Sequence, residues 1–90
     1  MKEIKEEGKI RYTDEEGKTL AEIDFPAIDE KTVLITHTSV DDSLRGQGIA
    51  KKLVEEVLAE AKKDGKKIQA TCSYARAYFE KNPDPSYEKE

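Results

Sequence analysis

Arg45-Gly46-Gln47-Gly48-Ile49-Ala50 places two glycines and an arginine where an uncharged stretch, Thr32 to Val40, gives way to an apolar-periodic one. A loop that leads with glycines into the first turn of a helix presents unpaired backbone N–H groups at the positive end of the helix dipole. That is the physical basis of an anion site. Glycine matters there because a side chain would hold the anion off the backbone. Arg45 adds a fixed positive charge, and Lys51 and Lys52 follow in the first turn, where lysine opposes the dipole unless an anion compensates it. The chemistry implied is recognition of a phosphate-bearing ligand. The spacing matches neither the glycine-lysine-serine loop of nucleotide hydrolases nor the three-glycine dinucleotide fingerprint.

A second group of residues carries reactive side chains. Cys72, the only cysteine, ends a short strand immediately before a helix, where the dipole favours the thiolate; it suits covalent group transfer or proton donation. Beside Ile68 and Ala70 it reads equally as a small buried apolar residue. His37, the only histidine, shares a strand face with Val33 and Ile35, which suits a core histidine or a general base. Tyr74 and Tyr78 either pack against the sheet or offer phenol protons. Asp41 and Asp42 either attract a cationic amine or cap the approach to the helix. One histidine and one cysteine do not make a tetrahedral ligand set, so no metal is expected.

These residues need elements to hold them. Lys9 to Thr13 alternates, turns at Asp14 to Lys18, and continues as Thr19 to Phe25 with Ala21, Ile23 and Phe25 on one face, which predicts a β-hairpin. Thr32 to Val40, β-branched and almost uncharged, reads as a central strand covered on both faces. Ile49, Ala50, Leu53, Val54, Val57, Leu58 and Ala61 trace the apolar stripe of a helix. Lys62, Lys63 and Gly65 suit its C-terminus. Lys67 to Cys72 is a short strand, parallel to Thr32–Val40 through a right-handed crossover. Ser73 to Asn82 is a second helix with Ser73 as N-cap, closed by Pro83 and Pro85, and residues 83–90 read as a frayed tail.

Ninety residues with 40% charged and 36% hydrophobic side chains make one domain with a single modest core. Sixteen basic against twenty acidic residues leave a net charge of −4 with both signs mixed, which argues against nucleic-acid or membrane-surface binding. No apolar run is long enough to span a membrane and no secretory leader is recognisable, so a cytoplasmic location is expected, in keeping with a lone thiol. The lysine- and glutamate-rich surface suits a thermophilic or a designed protein alike.

The loop Arg45 to Ala50 resembles the pyrophosphate loop of the GNAT superfamily of N-acetyltransferases, Gln/Arg-x-x-Gly-x-Gly/Ala. Together with His37-Thr38-Ser39-Val40 and Cys72-Ser73-Tyr74-Ala75, in that order, it is similar to short GNAT-like proteins that keep little beyond the acetyl-CoA half. The resemblance runs from Leu34 to Pro83 and extends to the preceding hairpin. It implies an α/β (α+β) fold in the order β-β-β-α-β-α: a mixed, mostly antiparallel four-stranded sheet with two helices, in which Leu34–Val40 and Ile68–Cys72 run parallel and splay apart. It implies acetyl-CoA as cosubstrate, with Val40 offering backbone groups to the pantetheine arm and Arg45, Gly46, Gln47, Gly48, Ile49, Ala50 and Lys51 holding the pyrophosphate. Cys72, Ser73 and Tyr74 would then lie near the thioester. The implied reaction is acetyl transfer to a primary amine on a small molecule or a protein, with Cys72, His37 and Tyr74 as catalytic candidates.

Three departures from the family pattern stand out. Larger members carry Asn-x-x-Ala-x-x-x-Tyr after the last core strand, and the same frame here reads Cys72, Ala75, Phe79, so the usual acid is missing. Ala70 stands where proline is frequent, and the chain has no room for the elements that form the acceptor groove. A CoA-binding module without turnover, and a designed scaffold that keeps the fold alone, are therefore the alternatives. Exposed strand edges suit a monomer or a homodimer.

Overall fold

Strands β1 (Lys2–Glu6), β2 (Lys9–Thr13), β3 (Thr19–Asp24), β4 (Thr32–Ile35) and β5 (His37–Val40) precede helix α1 (Ile49–Asp64), strand β6 (Lys67–Ala70) and helix α2 (Ser73–Lys81) in a computed structural model that describes residues 1–89. Four strands form an antiparallel sheet in the order β1-β2-β3-β5, and β4 pairs with β6 in parallel. The expected class is observed, with the hairpin β2–β3, the parallel crossover pair and the two helices in place. No described helix is long and apolar enough to cross a membrane.

β1 was not expected. Lys2-Glu3-Ile4-Lys5-Glu6 is mostly charged and has no apolar alternation, yet it pairs in register with β2 from Lys2↔Thr13 to Glu6↔Lys9. Its charges suit an edge strand, where they discourage pairing with another chain.

The expected single strand Thr32–Val40 is two strands. β4 pairs with β6 and β5 pairs antiparallel with β3, so the chain changes partner at Thr36, whose N–H donates to Asp24 O at 3.0 Å. The change shifts the side-chain phase. Val33 and Ile35 are buried, whereas His37 is exposed. Thr38 and Val40 lie opposite the buried Ile23 and Ala21 instead. The expectations that His37 shares a face with Val33 and Ile35, and that this stretch is covered throughout, are corrected accordingly.

α1 buries Ile49, Leu53, Val54, Val57 and Ala61 against the sheet, at an order of 1.5–3 kcal/mol for each large apolar side chain. It ends at Gly65 as the sequence suggests, with the Gly65 N–H returned to Ala61 and Lys62 carbonyls. Lys52 lies over the Tyr12 ring at 5.3 Å, so this first-turn lysine already has an internal partner. Tyr12 itself is 3% exposed, with its hydroxyl set among the carboxylates of Glu56 and Glu3. Burial, then the carboxylates of Glu56 and Glu3, push the hydroxyl above its ordinary pKa.

The C-terminal segment, read from the sequence as a frayed tail over residues 83–90, packs along β6 and α2 as far as Lys89; Glu90 lies outside the described residues. Ile68 N–H donates to Ser86 O and Glu88 N–H to Ile68 O, both at 2.7 Å, so the segment adds itself along the edge of β6. Tyr87 stacks on the buried Phe79 at 4.3 Å with an interplanar angle of 10°. Asp84 meets Lys62 Nζ at 2.8 Å and accepts from Ser86 N–H at 2.8 Å. These partners lie on β6, α1 and α2, outside any local window. Lys62, then the Ser86 N–H, hold the Asp84 carboxyl below its ordinary value. A carboxyl lowered on folding contributes stability that is complete above its unfolded pKa, about 4, and is lost as pH falls through the folded one. The amides of Ser86 to Glu88 are therefore expected to lose exchange protection in that acid range before the sheet does, and Asp84→Asn to lose it already at neutral pH.

Candidate active site

β5 delivers the chain to a tight approach. Asp41 caps the 3-10 turn Asp42–Leu44, its Oδ2 accepting from Ser43 N–H at 3.0 Å and Ser43 Oγ at 2.6 Å. These bonds from Ser43 hold the Asp41 carboxyl below its ordinary value. Asp42 Oδ1 pairs with Arg45 Nε at 2.9 Å on the surface. Both aspartates thus have structural partners, and Arg45 stands at the start of the loop as expected.

Gly46 and Gly48 have φ of 83° and 72°, a conformation that costs an ordinary L-residue about 1–2 kcal/mol. A Cβ on either would meet no protein atom within 4 Å, so the fold leaves the space before the loop open. Gly48 is the N-cap of α1 and supplies no side-chain cap. Among the described residues, no protein acceptor meets the backbone N–H groups of Gly46, Gln47, Gly48, Ile49, Ala50 or Lys51. Gln47 is exposed, with only a long 3.5 Å contact from Nε2 to Ser43 O.

A shallow cavity of ≈ 170 Å³ gathers the loop residues Arg45, Gly46, Gly48, Ile49 and Ala50 with Val40, Leu44 and Tyr74. Residues from β5, the loop and α2, far apart in sequence, thereby converge. Tyr74 is 41% exposed, and partial burial, then the Glu55 carboxylate, raise its phenol. Tyr78 is raised for the same reasons and meets Phe79 edge-on at 5.1 Å. Lys51 stands apart from the loop cavity and lines a neighbouring one of ≈ 300 Å³ with Tyr74 and Tyr78.

Cys72 is half-buried and is itself the N-cap of α2; Ser73, expected as the cap, is the exposed first residue of the helix. The Cys72 and Thr71 N–H groups both donate to Ile35 O, at 3.2 and 3.0 Å, which pins the thiol where β4 and β5 part. From there the Cys72 Sγ–H donates to Thr38 Oγ1 at 3.5 Å across the splay. Thr38 is the residue that sequence reasoning passed over. Its signal was its place two before Val40, hence on the same strand face. His37 lies on the other face of β5 from Thr38, so the structure does not bring it to the thiol. Phe79, in the position of the family's usual acid, is 3% exposed and packed into the core.

Fold and site define an α/β protein whose crossover helix opens on a glycine loop with free backbone amides, and whose second helix starts at a cysteine N-cap. The chain belongs to the GCN5-related N-acetyltransferase family, whose model matches residues 7–89. It is 38% identical to protein NATD1 of Xenopus tropicalis over 63 residues, covering 70% of this chain and 58% of that protein. The chain thus spans little more than half the length of the curated relatives it matches. A GCN5-like protein from Staphylococcus aureus, solved by NMR, superimposes with a TM-score of 0.82 at 35% identity, over 99% of this chain and 89% of that one. YhbS of Escherichia coli, a GNAT family N-acetyltransferase crystallised with CoA, matches with a TM-score of 0.56 at 30% identity, over 64% of this chain and 35% of that one.

Proposed function

We propose that the chain binds acetyl-CoA and transfers the acetyl group to a primary amine. One observation carries this reading: the unpaired backbone N–H groups of Gly46, Gly48, Ile49 and Ala50 at the start of α1 adjoin Val40 and Tyr74 in the same cavity. Such an array holds a diphosphate with preformed dipoles and needs no reorganisation. Family membership and the CoA-bound relative support the same ligand.

In this reading the pyrophosphate rests on Gly46 to Ala50 with Arg45 and Lys51 at its flanks. The pantetheine arm runs along Val40 towards the splay, with Ser73 and Tyr74 at its reactive end. Cys72 takes the acetyl group: its sulfur forms a bond to the thioester carbonyl carbon, the bond to the CoA sulfur breaks, and the CoA thiolate leaves with the proton that the Cys72 thiol gave up. The acceptor amine then attacks the acetyl-cysteine, the C–N bond forms, the thiolate is released, and the amine loses its proton to solvent. Thr38 orients the thiol. His37, exposed on the opposite strand face, serves as a proton acceptor only for a substrate that reaches that face.

Titration with acetyl-CoA, followed at the amides of Gly46 to Ala50, and mass spectrometry for acetylated Cys72 test the proposal. A second reading, binding without turnover, is favoured by the burial of Phe79 where the family places its acid. Amide shifts without acetyl-cysteine or acetylated amine would select it.

A further inference from the structure

The two lysines in the first turn of α1 have different surroundings. Lys52 lies over the Tyr12 ring, whereas Lys51 has no carboxylate within ion-pair distance among the described residues, although its charge opposes the helix dipole there. Glu55, one turn on, is the partner that helical spacing offers it. That carboxylate engages Tyr78 instead, whose phenol is raised by burial and then by the charge and hydrogen bond of Glu55.

Lys51 opens onto a cavity of ≈ 300 Å³ that it lines with Tyr74, Ala77, Tyr78, Lys81 and Asn82, a size at the small end of the range for ligand pockets. Lys81 is a second exposed cation with no carboxylate partner among the described residues. The turn that carries it is held in place, since the Asn82 N–H and Nδ2 both donate to Tyr78 O at 2.9 Å. Tyr74 lines this cavity and the loop cavity alike, so the two adjoin at one ring. From that ring the second cavity leads away from the thiol: at the helical rise, Lys81 stands about 13 Å along α2 from Cys72.

Resting on the acetyl-CoA reading above, we propose that this second cavity seats the nucleoside end of the cosubstrate, and that Lys51 and Lys81 clamp its ribose 3′-phosphate, so that the chain selects CoA over dephospho-CoA. A ligand whose diphosphate rests on the loop and whose thioester arm runs to Cys72 has its other end on this side. A phosphate monoester carries nearly two negative charges at neutral pH, which two ammonium groups meet as point charges. Because Glu55 is engaged by Tyr78, both cations are left to the phosphate. The Tyr78 ring offers the base an aromatic surface, and Tyr74 is the partition between arm and base. The loop amides read only the diphosphate, which CoA and dephospho-CoA share, so discrimination between the two falls to this cavity.

Calorimetry on the full chain compares CoA with dephospho-CoA, and amide spectra locate each. CoA is expected to bind about tenfold more tightly at low salt, the range of two exposed charge contacts, with the gap narrowing as salt is added. It is also expected to shift the amides of Ala77 to Asn82, which dephospho-CoA moves less. Lys81→Gln is expected to cut the preference to about threefold with dephospho-CoA affinity unchanged, and Lys51→Gln combined with Lys81→Gln to abolish the preference. Equal affinity for the two probes, a preference unmoved in Lys81→Gln, or shifts confined to Gly46–Ala50 would overturn the proposal. Both probes carry the diphosphate and the pantetheine arm, so loop shifts with each sustain the cosubstrate reading even where the preference is absent. Silence at the loop with both probes would remove that reading and this proposal together.

Discussion

Cys72→Ala is expected to lower acetyl transfer by at least on the order of a hundredfold, the range in which one positioned proton-transfer or nucleophilic group acts. The reason is positional. The thiol is held by two backbone bonds to Ile35 O and aimed at Thr38, and its residue is the N-cap of α2. Stability separates this role from mere packing. A half-buried cysteine that only fills space would cost about 1 kcal/mol on truncation and leave turnover unchanged. Cys72→Ser sharpens the comparison, since it keeps the shape and replaces the nucleophile. Stopped-time assays of thiol release from acetyl-CoA, beside urea unfolding of both variants, measure the two effects. Full turnover in Cys72→Ala would remove the cysteine from the mechanism and leave direct attack by the amine.

Gly48→Val is expected to weaken acetyl-CoA binding on the order of a hundredfold, about 2.7 kcal/mol. Gly48 sits at φ 72° as the N-cap of α1, so a β-branched residue must either bear the left-handed strain or rotate the first-turn amides out of line. A side chain there also enters the open space before the loop, where the diphosphate would rest. Arg45→Ala should cost less than Gly48→Val, because the guanidinium is exposed and already paired with Asp42, and such surface charges are screened by solvent and salt. Calorimetry with acetyl-CoA ranks the two. Equal losses would shift the weight of recognition from the backbone to the arginine, and wild-type affinity in Gly48→Val would dissociate the loop from the ligand.

The glycine-arginine loop was readable before any tertiary contact because its two determinants are local: positive φ at Gly46 and Gly48, and the free amides of a helix start. The hairpin and the stripe of α1 were readable for the same reason, since periods of two and 3.6 residues are written in adjacent positions. Thr32 to Val40 was harder. Its composition describes a strand correctly but says nothing of two different partners, β6 and β3, claiming its two halves. That competition breaks the strand at Thr36 and turns His37 outward.

From the sequence alone came the α/β class, the order of the main elements, the glycine loop before α1 and the cysteine before α2, all set by short-range patterns and by resemblance in three motifs. Only the tertiary structure decided that Cys72, not Ser73, caps α2, that Thr38 faces the thiol, that Lys52 belongs to Tyr12, and that the tail joins β6. Each of these depends on which distant segments meet. That is governed by the burial of a shared core rather than by the propensity of any one stretch, so no local window contains it.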